Sequence, residues 1–203
     1  MESEDEWLCI QLTRTRGWEE RDRTDDELVD PEGLIRWARD RGVLDSCEAR
    51  SLDDEARSCP VNAAAHLAHA RRLRAVIHGV LRAVGQGREP DAELLEALNR
   101  ELAAARAQRR LHPAGARFAW SWADDTPPLR RIAWEAALSA ARLLTSSEAE
   151  ERLKACAADD CGWVFVDRSR NRSRRWCDMS DCGNRAKVDR HRRRTQGEPA
   201  GGG

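Results

Sequence analysis

The chain has 203 residues and is close to neutral, with 35 lysines and arginines against 36 aspartates and glutamates and a net charge of −1. This overall charge points to no class of partner. Hydrophobic residues make up 40% of the sequence, which is enough for a packed core and excludes a chain that is disordered over most of its length. No apolar run approaches the roughly 18 residues that a membrane-spanning helix needs, and the acidic start lacks the basic segment of a signal peptide. We therefore expect a cytoplasmic protein that does not enter the membrane.

Helices dominate the prediction for the first 150 residues. Four helix starts are marked by proline, the first of them with a capping aspartate, and in chain order they are Asp30-Pro31, Pro60, Pro90-Asp91 and Pro127-Pro128. The helix from Pro60 is predicted to reach Val84, because apolar residues recur along it at spacings of three and four. Its arginines are expected on the opposite, solvent-facing side: Arg71, Arg72, Arg74 and Arg82.

One short strand is predicted among these helices. Apolar and polar residues alternate over residues 117–123, which places Phe118, Trp120 and Trp122 on one side of a strand. A strand needs a partner, and residues 8–12 are the candidate. The tryptophans are expected to belong to the core. The first unit is thus predicted to be mainly α with a small β-hairpin.

No enzyme signature is found in this helical unit. The sequence contains no phosphate-binding loop, dinucleotide fingerprint, H-E-x-x-H or G-x-S-x-G motif. His66 and His69 lie three residues apart on a predicted helix, but no third metal ligand is recognisable near them, so we expect them on a solvated face. The protein is therefore predicted not to be an enzyme.

The seven cysteines fall into two groups. An odd count without an export signal argues against a disulfide framework. Cys9, Cys47 and Cys59 are scattered, and we expect them to be buried and inert. The other four form two pairs in the pattern C-x4-C, x15, C-x4-C, namely Cys156, Cys161, Cys177 and Cys182. Such paired spacing is typical of a four-thiolate zinc site, so the sequence predicts one structural Zn²⁺.

The segment around these four cysteines is predicted to form a small α+β unit. Residues 154–161 are expected to be a polar turn, and residues 163–166 a strand with Trp163 and Phe165 on one face. A return strand is expected at Trp176-Cys177 and a helix over residues 184–194. Such a knuckle, hairpin and helix is treble-clef-like or ribbon-like. About forty residues bury too little apolar surface to fold alone, so a bound metal would supply the missing stability.

Charge separates the two units. Residues 1–155 hold 24 basic and 29 acidic side chains, whereas residues 156–194 hold 11 and 6. We predict a helical domain over residues 1–150, a zinc finger over 151–194 and a disordered tail over 195–203. The basic residues predicted to contact nucleic acid are Arg168, Arg170, Arg172, Arg174, Arg175, Arg185, Lys187, Arg190 and Arg194.

The motif Cys182-Gly183-Asn184-Arg185, together with the two cysteine pairs, resembles the CGNR zinc-finger family of bacterial proteins. The start Leu8-Cys9-Ile10 and the helix around Leu34-Ile35-Arg36-Trp37 are similar to the ABATE domain that precedes this finger in the family. The resemblance implies a transcription regulator, in which a helical domain senses a small-molecule effector or dimerises and the finger binds DNA.

Other functions remain open at this stage. The basic patch could dock an acidic protein, or the finger could bind RNA, since nothing in the sequence distinguishes duplex grooves from single strands. Either alternative would be a zinc-stabilised module without catalysis. An enzyme in the helical domain ranks last. A homodimer is expected if the DNA sites are palindromic.

Overall fold

The structure, a computed structural model, describes residues 7–17 and 26–195, and for residues 190, 191 and 193–195 the backbone alone. The predicted tail therefore lies outside the described residues except for Thr195. The helices are α1 (Leu8–Arg14), α2 (Pro31–Asp40), α3 (Ser46–Ser58), α4 (Pro60–Gly85), α5 (Ala92–Ala107), α6 (Pro128–Leu144), α7 (Ser147–Glu150) and α8 (Asn184–Thr195). Two antiparallel hairpins join them, formed by β1 (Arg109–Ala114) with β2 (Arg117–Trp122) and by β3 (Leu153–Ala155) with β4 (Val164–Val166).

The four predicted helix starts are confirmed, and side-chain caps explain those of α2 and α5. Asp30 accepts a hydrogen bond from the Gly33 backbone N–H at 2.7 Å, and Asp91 caps α5 in the same way. Helix α3 was not predicted, although Asp45 and Glu48 form a complete capping box at its start. No helix in the part of the chain described here has the length and apolar character needed to span a bilayer.

Helix α4 lies at the centre of the core and packs against α1, α5, α6 and the β3–β4 hairpin. The predicted apolar stripe is buried, but the expectation that Arg74 faces solvent is wrong. Arg74 is only 1% exposed and forms two hydrogen bonds to the Asp26 carboxylate, at 2.5 and 2.6 Å. It also donates to the Thr15 hydroxyl at 2.7 Å. A paired and hydrogen-bonded guanidinium can be buried, and its partner lies too far away in sequence to be recognised.

The predicted partner of the β2 strand is wrong. Residues 8–12 lie in helix α1, and β2 pairs instead with β1, so that Leu111 faces Trp120. The two strands are joined by a two-residue turn in which Gly115 has a φ of 64°, a conformation that suits glycine and tight hairpins. The sequence neighbour is therefore the pairing partner.

Burial corrects three further predictions about single side chains. Trp37 and Trp134 belong to the core as expected, but Trp120 is 61% exposed. His69 is not on a solvated face, because it is buried with its Nε2 3.0 Å from the Glu101 carboxylate. The third correction concerns the scattered cysteines, which were all expected to be buried. Cys9 is buried, but Cys47 and Cys59 are exposed.

The β3–β4 hairpin joins the cysteine-rich segment to the helical core. Leu153, Val164 and Val166 are buried in the same apolar cluster as the helices. The predicted strand at residues 163–166 is confirmed as β4, but its partner precedes Cys156 rather than following it. Residue 154, where the polar turn was predicted to begin, therefore belongs to strand β3 instead. The predicted return strand at residues 176–177 is also wrong, because that segment is an irregular loop held by side chains.

Candidate metal centre and basic surface

The four predicted cysteines converge on one point. The Sγ atoms of Cys156, Cys161, Cys177 and Cys182 all lie within 4.8 Å of one another. Two of the separations are 3.4 Å, between Cys161 and Cys177, and 3.7 Å, between Cys177 and Cys182. Four sulfurs around a tetrahedral zinc at about 2.3 Å would be about 3.8 Å apart. The donor set and its spacing therefore fit one structural zinc ion.

A cation would stabilise the buried thiols of this cluster. Cys177 is buried, and its pKa is raised because its thiol hydrogen-bonds Cys156 and Cys161 and because burial disfavours the thiolate. A divalent cation bound by all four sulfurs would offset this cost and displace the thiol protons. Zinc held by four thiolates has no open position, so its chemistry here is structural support.

Each cysteine is positioned by local backbone structure. The Cys156 N–H donates to the Trp163 carbonyl at 2.8 Å, which extends the hairpin, and the Cys161 N–H closes a turn onto Ala158 at 3.1 Å. Cys177 precedes a π-helical turn over Met179–Gly183 and Cys182 lies within it, and the Asp178 carboxylate caps the N–H groups of Ser180 and Asp181 in this turn. Helix α8 then begins directly after the last ligand, as predicted.

Arg185 ties the two ligand pairs together. Its guanidinium donates to Cys182 Sγ at 3.2 Å and also binds the carboxylates of Asp160 and Asp181, the latter at 3.3 Å. Asp160 belongs to the first knuckle and Asp181 to the turn before α8. The last residue of the CGNR motif therefore acts inside the finger, joining a ligand sulfur to acidic side chains of both cysteine pairs.

The loop that follows β4 is organised by Asp167. This carboxylate is fully buried and accepts hydrogen bonds from Lys154 Nζ at 2.7 Å, from the Ser169 N–H and hydroxyl, and from the Arg174 N–H at 2.9 Å. Burial raises its pKa, but these bonds, first that from Lys154, lower the pKa of Asp167 to about 2. Lys154 Nζ also donates to the Arg172 carbonyl at 2.5 Å. No role was predicted for Asp167 and Lys154, although a charged residue at the end of an apolar strand is a signal for a buried ion pair.

Three contacts fix the finger to the helical core. His78 on α4 hydrogen-bonds the Gly162 carbonyl at 2.7 Å, next to the ligand Cys161. The Trp163 indole N–H donates to the Arg16 carbonyl at 3.1 Å. At the end of α4, a Cβ atom on Gly85 would lie 2.8 Å from the β3 backbone. The absence of a side chain at residue 85 therefore lets the helix touch the strand.

We expect Gly85→Ala to destabilise the protein by about 1–3 kcal/mol, because the added methyl group would press on backbone that cannot rotate away. Gly79→Ala in the same helix is the matched control. Its Cβ would meet only the end of the flexible Leu94 side chain, and alanine favours the helix by about 1 kcal/mol. Urea unfolding of both variants measures the difference. Equal stability of the two variants would contradict close packing of α4 on β3.

The nine basic residues predicted to bind nucleic acid have different surroundings. Arg174 donates to the carbonyls of Trp176 and Cys177 and lies over the Phe165 ring, and Arg185 is bound within the finger. Arg172 pairs with Glu151 at 2.8 Å, and Arg168 is partly buried. The exposed residues with no ion pair among the described residues are Arg170, Arg175 and Lys187. Arg190 and Arg194 lie on α8, with side chains outside the described part. Nucleic-acid contact stays a prediction for all nine.

The fold and its four-cysteine centre define a zinc-finger protein with a helical N-terminal unit. The family model for the CGNR zinc finger matches residues 152–195. The ABATE model, described as "Putative stress-induced transcription regulator", matches residues 6–147, which is more than half of the chain. The chain therefore belongs to the ABATE family and carries a CGNR zinc finger, as the resemblance implied. No curated protein matches it.

Proposed function

We propose that this protein is a transcription regulator that binds DNA through its zinc finger, without catalytic activity. The family description supports regulation, and the finger supplies the surface. The observation that carries the proposal is the exposure of three basic side chains on the finger that have no ion pair among the described residues: Arg170, Arg175 and Lys187. Unpaired cations on one small unit attract the phosphate backbone of nucleic acid.

The packing of the finger supports one direction of approach. The hairpin face that carries Leu153 and Val164 is covered by α4, so DNA could reach only the opposite side. The loop after Asp167 lies on that side, where Lys154 Nζ donates to the carbonyls of Arg172 and Arg174. Arginine and lysine there would contact phosphates or the guanine edge in the major groove.

Salt dependence tests this proposal. Binding of the zinc-loaded protein to a random duplex should weaken between about 50 and 200 mM salt, with a log–log slope of roughly −0.9 per phosphate contacted. Lys187→Ala and Arg175→Ala should each reduce the slope by about one. Arg72→Ala, on the exposed side of α4, is the control and should bind as the wild type does.

The measurement is fluorescence anisotropy with a labelled duplex. The DNA-binding proposal would be overturned if the zinc-loaded protein showed no binding at about 50 mM salt that weakens as salt is added. Phosphate contacts are strongest at about 50 mM salt, the lowest concentration used. The alternative of a protein-interaction module would then explain the basic surface better.

A further inference from the structure

A cleft of about 520 Å³ lies between the β1–β2 hairpin and helices α5 and α6, away from the cysteines. Its volume falls in the range of about 300–1,000 Å³ that is typical of small-molecule sites. Leu138 and Ala141 on α6 form an apolar floor, and Trp120 on β2 forms one wall. Trp120 is 61% exposed, which leaves a large flat ring uncovered beside the cleft. Such a surface suits stacking against a planar group.

The cleft is also positively charged. Three arginines line it, Arg106, Arg109 and Arg142, against the single carboxylate of Glu135. Glu135 is already engaged, because it accepts hydrogen bonds from Arg109 at 2.8 Å and from the Trp122 indole at 2.9 Å. The guanidinium groups of Arg106 and Arg142 make no hydrogen bond or ion pair with any residue that the structure describes. Two unneutralised cations therefore border an apolar floor.

The base of the hairpin is fixed, so the backbone around the cleft is in place before a ligand arrives. Trp122 stacks on Trp134 of α6 with a centroid separation of 5.8 Å, and Arg109 lies over the Trp122 ring at 4.8 Å. Trp134 in turn donates to Glu101 of α5 at 2.8 Å. A preformed site loses less conformational entropy when it binds a ligand.

We propose that this cleft binds a small aromatic carboxylate. The ring would stack on Trp120 above Leu138 and Ala141, and the carboxylate would accept hydrogen bonds from Arg142 and Arg106. Arginine suits this role because its planar fork matches a carboxylate with two hydrogen bonds.

The position of the cleft would allow a bound ligand to influence the finger. Thr145 lines the cleft just beyond the end of α6, and only the short helix α7 separates it from Leu153, the first residue of β3. A regulatory role for the ligand rests on the DNA-binding function proposed above. The binding site itself does not depend on that function.

The test is calorimetry of the full chain, without DNA, using 1-naphthoate as the probe and the neutral 1-naphthamide as its matched control. We expect naphthoate to bind with a Kd below about 1 mM and naphthamide to bind at least about tenfold more weakly, since the amide lacks the charge. Arg142→Ala and Trp120→Ala should each weaken naphthoate binding about tenfold, and Arg72→Ala should not change it. All the substituted side chains are exposed, so the variants should remain folded.

Three results would overturn this proposal: no saturable binding of naphthoate, equal affinity for the acid and the amide, or unchanged affinity in both the Arg142→Ala and Trp120→Ala variants. Failure of the cleft and failure of the DNA-binding proposal are distinguishable. Protein that binds naphthoate but no duplex contradicts only the latter, and protein that binds duplex but no naphthoate contradicts only the former.

Discussion

Replacing Cys177 or Cys182 with serine is expected to abolish zinc binding and to unfold the outer part of the finger. The segments that carry the ligands make few apolar contacts beyond the cluster around Phe165, and a structural zinc contributes on the order of 10 kcal/mol to such a unit. The hairpin β3–β4 should stay folded, because Leu153 and Val166 are buried in the helical core rather than in the finger. The sequence predicted that a bound metal supplies the stability of the whole segment, and the packing of the hairpin on the helical core limits that dependence.

Two measurements check this result. Elemental analysis of protein purified under reducing conditions should find one zinc per chain in the wild type and none in the variants. Hydrogen exchange should then show protection lost in α8 and in the loop after Asp167, but kept in α4 and β4. Cys47→Ser, at an exposed cysteine on α3, is the control and should keep both zinc and protection. Zinc-free wild-type protein, or loss of protection in β4, would contradict the expectation.

Asp167→Ala should strongly destabilise the protein, although Asp167 is not a metal ligand. It removes the ionic partner of the Lys154 ammonium, which would keep only backbone carbonyl acceptors, and leaves the N–H groups of Ser169 and Arg174 without an acceptor. Breaking a buried ion pair by removing one partner costs about 3–5 kcal/mol. Because the loop loses its anchor, DNA affinity should fall together with stability, even though Asp167 is acidic and would repel phosphate.

The pH dependence of this contribution has a definite sign. The pKa of Asp167 is lowered in the folded chain to about 2, below the value of roughly 3.9 in an unfolded chain. Its stabilisation is therefore complete above the unfolded pKa and is lost as pH falls toward 2. The stability of the Asp167→Ala variant should therefore be measured by thermal unfolding at neutral pH. Asp189→Ala, on the exposed surface of α8, is the control. Equal stability of the two variants would contradict the role of Asp167.

Features that depend on neighbouring residues could be predicted from the sequence, whereas features that depend on contacts between distant residues could not. Asp30-Pro31 and the paired cysteines carry their information within a few residues, so the helix start and the metal ligands were predictable. Arg74 could not be placed correctly, because its partner Asp26 lies 48 residues away along the chain. Residues 8–12 are apolar enough for a strand, but they form a helix that packs on α4 and α6. The predicted division at residue 150 and the absence of catalysis stay predictions.

The fit of α4 against the finger bears on how such a protein can be recombined. His78 and Gly85 belong to the helical unit by sequence, yet both contact the finger. His78 hydrogen-bonds the first cysteine loop, and Gly85 leaves room for β3 to pack against α4. A finger transplanted from a relative would be accepted only if its knuckle and first strand matched these two positions. A fragment cut out at residue 152 would leave Leu153, Val164 and Val166 open to water and prone to aggregate. The finger therefore depends on the helix against which it packs, and chimeras should exchange both.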